Sequence, residues 1–143
     1  MEKELMILVG PIGSGKTTFS KTLENDTSIR ISQDEMGRKA YLEHFKAAIR
    51  NEVPRILIDR QNFNKEQRER FIKPAREAGY CVTVFELKTN TATCIERVVT
   101  RVGHPTVVSG DVELAQEIVN RYLINYEAPT ADEYDNLNIV EEL

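Results

Sequence analysis

The stretch "GPIGSGKTT", residues 10–18, directly follows the apolar run "LMILV". Gly10, Gly15, Lys16 and Thr17 satisfy the pattern G-x-x-x-x-G-K-[ST]. A helix that starts right after a strand leaves its first backbone N–H groups without partners inside the helix. Those donors and the helix dipole attract anions. The stretch therefore predicts a strand, a phosphate-binding loop and a helix, in that order.

Each part of this loop has an expected job in binding a nucleoside triphosphate. Glycines let the backbone curl so that several N–H groups point at one phosphate. Lys16 brings a full charge to the β and γ phosphates, and the hydroxyl of Thr17 is suited to bind Mg²⁺. The alternative, a glycine turn beside a solvated lysine, leaves the flanking strand and helix unexplained. We expect the nucleotide phosphates to contact Gly13, Ser14, Gly15, Lys16, Thr17 and Thr18.

Apolar runs alternate with amphipathic ones along the rest of the chain. Strands are predicted at residues 4–10, 28–32, 55–59, 80–87 and 136–142. Helices are predicted at residues 15–25, 34–51, 64–79, 91–102 and 111–128, with a loop at 103–110. This alternation predicts an α/β fold in three layers, with a five-stranded, mainly parallel sheet between helices. We expect residues 1–143 to form a single domain.

Composition and charge narrow the class of protein. The net charge of −4 argues against broad, nonspecific coating of nucleic acid, although a local basic groove is compatible with it. No apolar stretch approaches the roughly 20 residues that cross a bilayer, and "MEKEL" lacks the pattern of a signal peptide, so we expect no membrane partner and a cytoplasmic protein. Cys81 and Cys94 do not have the spacing of a zinc site and are expected to be packed, reduced thiols.

A carboxylate follows the second predicted strand in "RISQDEMGRK", residues 30–39. Since ligands of an open parallel sheet bind outside the carboxyl ends of its strands, Asp34 should emerge on the same edge as the loop at 10–18. There it could take the proton from an attacking hydroxyl. The alternative is a capping box of Ser32 and Glu35, with Asp34 merely complementing the helix dipole.

The third predicted strand ends in a second carboxylate, within "RILIDRQNFN". Asp59 is expected to hold Mg²⁺ directly or through water, although a plain turn residue is the alternative. Arg60 and Asn62 follow in the loop and are expected to face the same crevice, with Asn62 a candidate substrate contact. Asn64 and Gln67 have the spacing of a helix cap, so Asn64 is interpreted as structural.

Two arginines four residues apart lie in "CIERVVTRVGHPT", residues 94–106. Arg97 and Arg101 share one helix face and lead into a loop, as expected for a movable cover that brings positive charge to a phosphoryl group. The alternative is a solvated face paired with acids such as Glu96. His104 is interpreted as a loop or substrate contact rather than a metal ligand.

The segments "GPIGSGKTT", "SQDEMGR", "DRQNFN", "ERVVTRVGHPT" and "EAPTADE" together resemble the polynucleotide 5′-hydroxyl kinase family of small P-loop kinases. The resemblance spans nearly the whole chain and implies an adenylate-kinase-like sheet, a helical arginine lid, ATP and Mg²⁺. It further implies that Lys16 and Thr17 bind the phosphates and the metal and that Asp34 is the general base. Arg97 and Arg101 are implied as lid contacts, with Arg101 as the transition-state stabiliser. Arg38 lies near the place of an arginine that binds the acceptor phosphate in some members of the family.

The function expected from these observations is an ATP-dependent kinase whose acceptor is a hydroxyl of a nucleic acid, most simply a 5′-OH end of DNA or RNA. Another acceptor for the same machinery stays open, such as a hydroxymethylated base in DNA, a nucleoside or an antibiotic. An NTP-hydrolysing switch or motor module would need ordered switch loops or an arginine from a partner, whereas both candidate arginines lie in this chain. A non-catalytic nucleotide sensor is disfavoured by the retained Lys16, Thr17, Asp34 and Asp59.

Overall fold

The computed structural model describes residues 2–100 and 112–141, with the backbone alone for Asp34. One sheet contains five strands, which are β1 (Glu4–Val9), β2 (Ser28–Ile31), β3 (Arg55–Ile58), β4 (Cys81–Leu87) and β5 (Asn136–Val140). The strands lie in the order β2-β3-β1-β4-β5, and each pair of neighbours is parallel. The predicted five-stranded parallel sheet is confirmed.

Six helices connect these strands in the described ranges: α1 (Lys16–Leu23), α2 (Gln33–Met36), α3 (Ala40–Arg50), α4 (Lys65–Glu77), α5 (Thr91–Thr100) and α6 (Val112–Asn125). The prediction of one helix over 34–51 is wrong, because the chain breaks between α2 and α3 at Gly37. The φ angle of Gly37 is +92°, which glycine adopts at little cost and which a helix does not allow. The predicted loop at 103–110 lies outside the described residues.

The main core lies between one face of the sheet and the helices α3 and α4. Alternate residues of β1, namely Leu5, Ile7 and Val9, are fully buried on this face against Phe45 and Phe71. The ring of Phe45 meets that of Phe71 edge-on at 5.1 Å. On the other face Phe19 of α1 packs on Phe85 of β4, and a second apolar cluster joins α5 to α6. The sheet is therefore covered on both faces, as a parallel sheet requires.

The strand order determines where a ligand can bind. From the central β1 the chain first builds β2 and β3 on one side of the sheet and then β4 and β5 on the other. The segments after β1, β2 and β3 all leave from the carboxyl edge, next to this change of direction, and open parallel sheets bind ligands there. No helix within residues 2–100 and 112–141 is long and apolar enough to cross a membrane.

Candidate functional site

The turn after β1 has the backbone conformation that the glycine spacing predicts. Gly13 and Gly15 adopt φ angles of +80° and +94°, and Lys16 begins α1 directly afterwards. A Cβ atom on Gly13 would lie only 2.4 Å from the backbone oxygen of Cys94. Glycine is therefore required at this position both by the backbone angle and by the close approach of α5.

Bonds to neighbouring segments hold the loop in shape. The Nζ atom of Lys16 donates to the carbonyl of Pro11 at 2.8 Å, and the hydroxyl of Thr89 donates to the carbonyl of Ser14 at 2.8 Å. Arg97 of α5 donates from a guanidinium nitrogen to the carbonyl of Gly13 at 3.3 Å. Ser14 itself is fully buried, so the structure does not expose this predicted phosphate contact. The lysine charge and one arginine of the expected lid thus lie at this loop.

A hydroxyl and a carboxylate meet where a metal is expected. The Thr17 hydroxyl donates to Oδ2 of Asp59 at 3.2 Å, and the Ser20 hydroxyl donates to the same oxygen at 3.3 Å. Asp59 directly follows β3 and is 7% exposed. Hydroxyl and carboxylate oxygens are the ligand type that Mg²⁺ prefers, so Thr17 and Asp59 fit the predicted ion as ligands, directly or through water.

Arg30 is a further member of this cluster that the sequence analysis did not single out. Its guanidinium bonds Oδ2 of Asp59 through two nitrogens, at 2.7 Å and 2.9 Å, and Oε2 of Glu35 at 2.7 Å. Burial acts to lower the pKa of Arg30, but the hydrogen bonds to Glu35 and Asp59 outweigh it and raise the pKa. One signal was present in the sequence: a charged residue sits between two isoleucines in a strand of only four residues.

The phosphate-binding loop, Thr17 and Asp59 border a pocket of about 420 Å³ at the carboxyl edge of the sheet. Its walls come from the phosphate-binding loop and α1, from the segment after β3, and from α2, α4 and α6. The lining residues include Gly13, Gly15, Lys16, Thr17, Thr18, Gln33, Asp59, Arg60, Phe63 and Arg121. Among them, Phe63 contributes an aromatic ring and Arg121 of α6 contributes a cation, and the sequence analysis singled out neither of them.

The predicted acceptor-side residues have mixed outcomes. Asp34 follows Gln33, a pocket-lining residue, so the backbone of Asp34 lies beside the pocket. Arg38 is exposed and does not line the pocket. Arg101 and His104 lie outside the described residues.

The expectation that the side chain of Asn62 faces the crevice is wrong. Asn62 is 1% exposed, and its amide donates to the carbonyls of Leu8 at 2.7 Å and Arg60 at 3.2 Å. Its φ angle is +49°, and its side-chain amide reaches the carbonyl at the end of β1 instead of lining the pocket. Asn62 therefore braces the segment that carries Asp59 and Arg60.

Two expected helix caps also have different outcomes. Asn64 caps α4 as predicted, because its side-chain oxygen accepts from the backbone N–H of Gln67 at 2.9 Å. The alternative capping box of Ser32 and Glu35 is not formed, since Ser32 makes no side-chain cap bond and Glu35 pairs with Arg30. The short helix α2 is thus held by this ion pair and by the packing of Met36 on the main core.

The fold and the site together define a P-loop protein with the kinase fold, a fold that binds nucleotides. A family model described as an AAA domain matches residues 5–129, and the chain belongs to that family. No curated protein matches the sequence significantly.

Solved structures share the fold at low sequence identity. A putative kinase from Chloroflexus aurantiacus is similar over 99% of this chain and 89% of its own, with a TM-score of 0.70 and 17% identity. Kti12 of Chaetomium thermophilum, solved with ADP-AlF3, is similar over 96% of this chain and 88% of its own, with a TM-score of 0.66 and 16% identity. A chain of the Pnkp1/Rnl/Hen1 RNA repair complex is similar over 88% of this chain and 47% of its own, with a TM-score of 0.59 and 15% identity. At these identities the similarity shows the fold.

Proposed function

We propose that the protein is an ATP-dependent kinase that transfers the γ-phosphate to a hydroxyl of a nucleic acid, most simply a 5′-OH end of DNA or RNA. One observation carries the proposal. The phosphate-binding loop, the pair Thr17 and Asp59, and the backbone that leads into Asp34 all border one pocket. A phosphate donor and a hydroxyl acceptor could meet there, as direct transfer requires.

The donor side is supported by the charges around the loop. ATP would bind with its phosphates on residues 13–18, because the start of α1 lines the pocket and the N-terminus of a helix favours anions. Lys16 would leave the carbonyl of Pro11 to bind the β and γ phosphates, and Arg97 would stay near the loop from α5. Mg²⁺, held by Thr17 and Asp59, would supply charge neutralisation on the phosphates. Arg101 would stabilise the charge that develops during transfer.

The acceptor side is supported by the walls around α2, α4 and α6. Asp34 would remove or orient the proton of the acceptor hydroxyl. Phe63 offers an aromatic ring against which a base could stack, and Arg60 and Arg121 offer cations for phosphates. The guanidinium of Arg60 lies 4.8 Å from the centre of the Tyr41 ring, which holds it at the pocket wall. A nucleotide acceptor matches this mixture of ring and cation better than an uncharged small molecule does.

The experiment is a parallel transfer assay with radiolabelled ATP. The acceptors are 5′-OH oligonucleotides of DNA and RNA, DNA with hydroxymethylated bases, and free nucleosides. We expect label on the 5′-OH oligonucleotides. Label confined to modified-base DNA or to nucleosides would identify that class as the acceptor instead of a 5′-OH end. Phosphate release that is independent of every acceptor would contradict the kinase activity and indicate an NTPase.

The variant Asp34→Ala separates the chemistry from nucleotide binding. Loss of the general base should reduce transfer by about 10²- to 10⁴-fold, while the affinity for ATP changes little. A parallel loss of ATP affinity would mean that Asp34 has a structural role.

Arg101→Ala should chiefly lower kcat, and an unchanged kcat would remove Arg101 from the mechanism.

A further inference from the structure

The position of Arg30 in β2 decides which part of the molecule its side chain reaches. Ile29 and Ile31 pack into the core on the α3 and α4 face of the sheet. Because side chains alternate along a strand, Arg30 points to the opposite face, where α1 lies. Its side chain is only 10% exposed, so its guanidinium lies among protein groups.

Three segments meet at this guanidinium. Two of its nitrogens bond Asp59 at the end of β3, and Nε also donates to the hydroxyl of Ser20 in α1 at 3.1 Å. The remaining terminal nitrogen bonds Glu35 in α2 at 2.7 Å. The planar fork of an arginine can hold two carboxylates in fixed directions at once, whereas the single ammonium of a lysine cannot.

The helix α2 depends on contacts outside itself, which are the ion pair of Glu35 with Arg30 and the packing of Met36 on the main core. It has four residues and two backbone bonds, from Met36 to Ser32 at 2.9 Å and from Gly37 to Gln33 at 2.8 Å. One isolated helical turn is unstable in water, because its few bonds do not offset the entropy lost in forming it. Among the described groups, the ion pair of Glu35 ties this turn to the cluster around Asp59.

We propose that Arg30 is a positioning residue that fixes α2, and with it the backbone of Asp34, relative to the carboxylate of Asp59. The role rests on the proposed function, since it matters for catalysis only if Asp34 acts on an acceptor. Through Arg30, the segment that would supply the base and the segment that would hold the metal share one rigid link. The link runs from Asp59 through Arg30 to Glu35, so Glu35 is its end in α2.

The test breaks the link at its exposed end. In Glu35→Gln the side chain keeps its shape but loses its charge, and the 57% exposure of Glu35 makes a folding defect unexpected. Amide hydrogen exchange at Met36 and Gly37 should become roughly two- to fivefold faster, because an ion pair of this kind contributes a modest free energy. Glu43→Gln removes the same charge from an exposed position of α3 and should leave these two amides unchanged. Arg30→Lys should also accelerate the exchange.

Activity provides the second measurement. In the transfer assay Glu35→Gln should lower kcat about tenfold, with the Kd for ATP unchanged, because a misplaced catalytic group slows the chemical step. Unchanged exchange at Met36 and Gly37 would overturn the link, and an unchanged kcat or an equally large loss of ATP affinity would overturn the positioning role. If the wild-type protein phosphorylates none of the acceptors, the proposed function fails, while the exchange data still decide whether the link exists.

Discussion

Two arginines with largely buried side chains, Arg30 and Arg68, each pair with a carboxylate, but their surroundings differ. The side chains of Arg68 and Glu133 are 0% and 3% exposed, and those of Arg30 and Asp59 are 10% and 4% exposed. Nearly equal burial would suggest equal roles. The partners around each pair show otherwise.

The pair of Arg68 and Glu133 is closed, in the sense that its hydrogen-bonding groups are bonded to the protein itself and do not line the pocket. Besides Glu133, at 2.6 Å, Arg68 donates to the carbonyls of Asn62 at 2.8 Å and Glu127 at 2.9 Å. Glu133 also accepts from the backbone N–H of Thr130 at 2.7 Å. These contacts tie the start of α4 to the loop after β3 and to the segment that precedes β5. A buried ion pair whose hydrogen bonds are made to other groups of the protein is typical of a structural role.

The pair of Arg30 and Asp59 is open on one side. Asp59 lines the pocket, and Thr17, which donates to its Oδ2, lines the pocket as well. The comparison teaches that burial alone does not separate a structural charge from a functional one. The useful criterion is whether the cluster borders space that a ligand could fill.

The largest expected effect is on stability, in Arg68→Met. Removing the arginine leaves Glu133 buried without its cation, which should lower the free energy of unfolding by about 3–5 kcal/mol in urea titrations. The double variant Arg68→Met with Glu133→Leu should recover much of this loss, because an apolar pair does not leave a buried charge. A single variant as stable as the wild type would contradict the distinction between closed and open clusters.

A smaller effect, on activity, is expected for the open cluster in Thr17→Ala. Loss of the hydroxyl beside Asp59 should reduce Mg²⁺-dependent transfer by about ten- to a hundredfold. Thr17→Ser keeps the hydroxyl and should retain most of the rate. Thr22→Ala changes an exposed threonine of the same helix and serves as the control. Equal rates in Thr17→Ala and Thr22→Ala would show that the open cluster is no metal site.

Acid should weaken the closed pair selectively. Burial works to raise the pKa of Glu133, but hydrogen bonds from Arg68 and Thr130 outweigh it and lower the pKa. A carboxylate with a folded pKa below its unfolded value stabilises the protein fully above the unfolded pKa, and this contribution disappears as the pH falls through the folded pKa. The wild type should therefore lose more free energy of unfolding than the double variant Arg68→Met with Glu133→Leu as the pH falls below about 4.3, the ordinary pKa of a glutamate. Urea titrations at several pH values measure it, and a gap independent of pH would contradict the prediction.

The smallest expected effect concerns the cap of α4. Asn64→Ala removes the bond to the N–H of Gln67 and should cost about 1 kcal/mol in the free energy of unfolding. Asn51→Ala, an exposed asparagine at the end of α3, should stay within about 0.5 kcal/mol of the wild type. Urea titration of both variants measures the difference. Equal stabilities would remove the cap as a contributor.

Much of the architecture follows from local patterns in the chain. The loop at residues 10–18, the alternation that sets the five strands, and the Asn64 cap all depend on residues within a few positions of one another. Local geometry and hydrogen bonding decide such features, so a single sequence is enough to predict them. The break at Gly37 was missed because a glycine inside an apolar period is compatible with a continuous helix until the backbone angle is known.

The tertiary structure alone decided which charges meet. Arg30 and Asp59 are 29 positions apart, and Arg68 and Glu133 are 65 positions apart. Their contact depends on the strand order and on the helices packed over it, which no local pattern states. The same reason explains Asn62, whose side chain turned under the loop, and Arg121, which α6 brings to the pocket wall. The sequence by itself determined the phosphate-binding loop and the layered sheet, because both are built from neighbours in the chain. Folding decided the partners of each buried charge, because those partners are neighbours only in space.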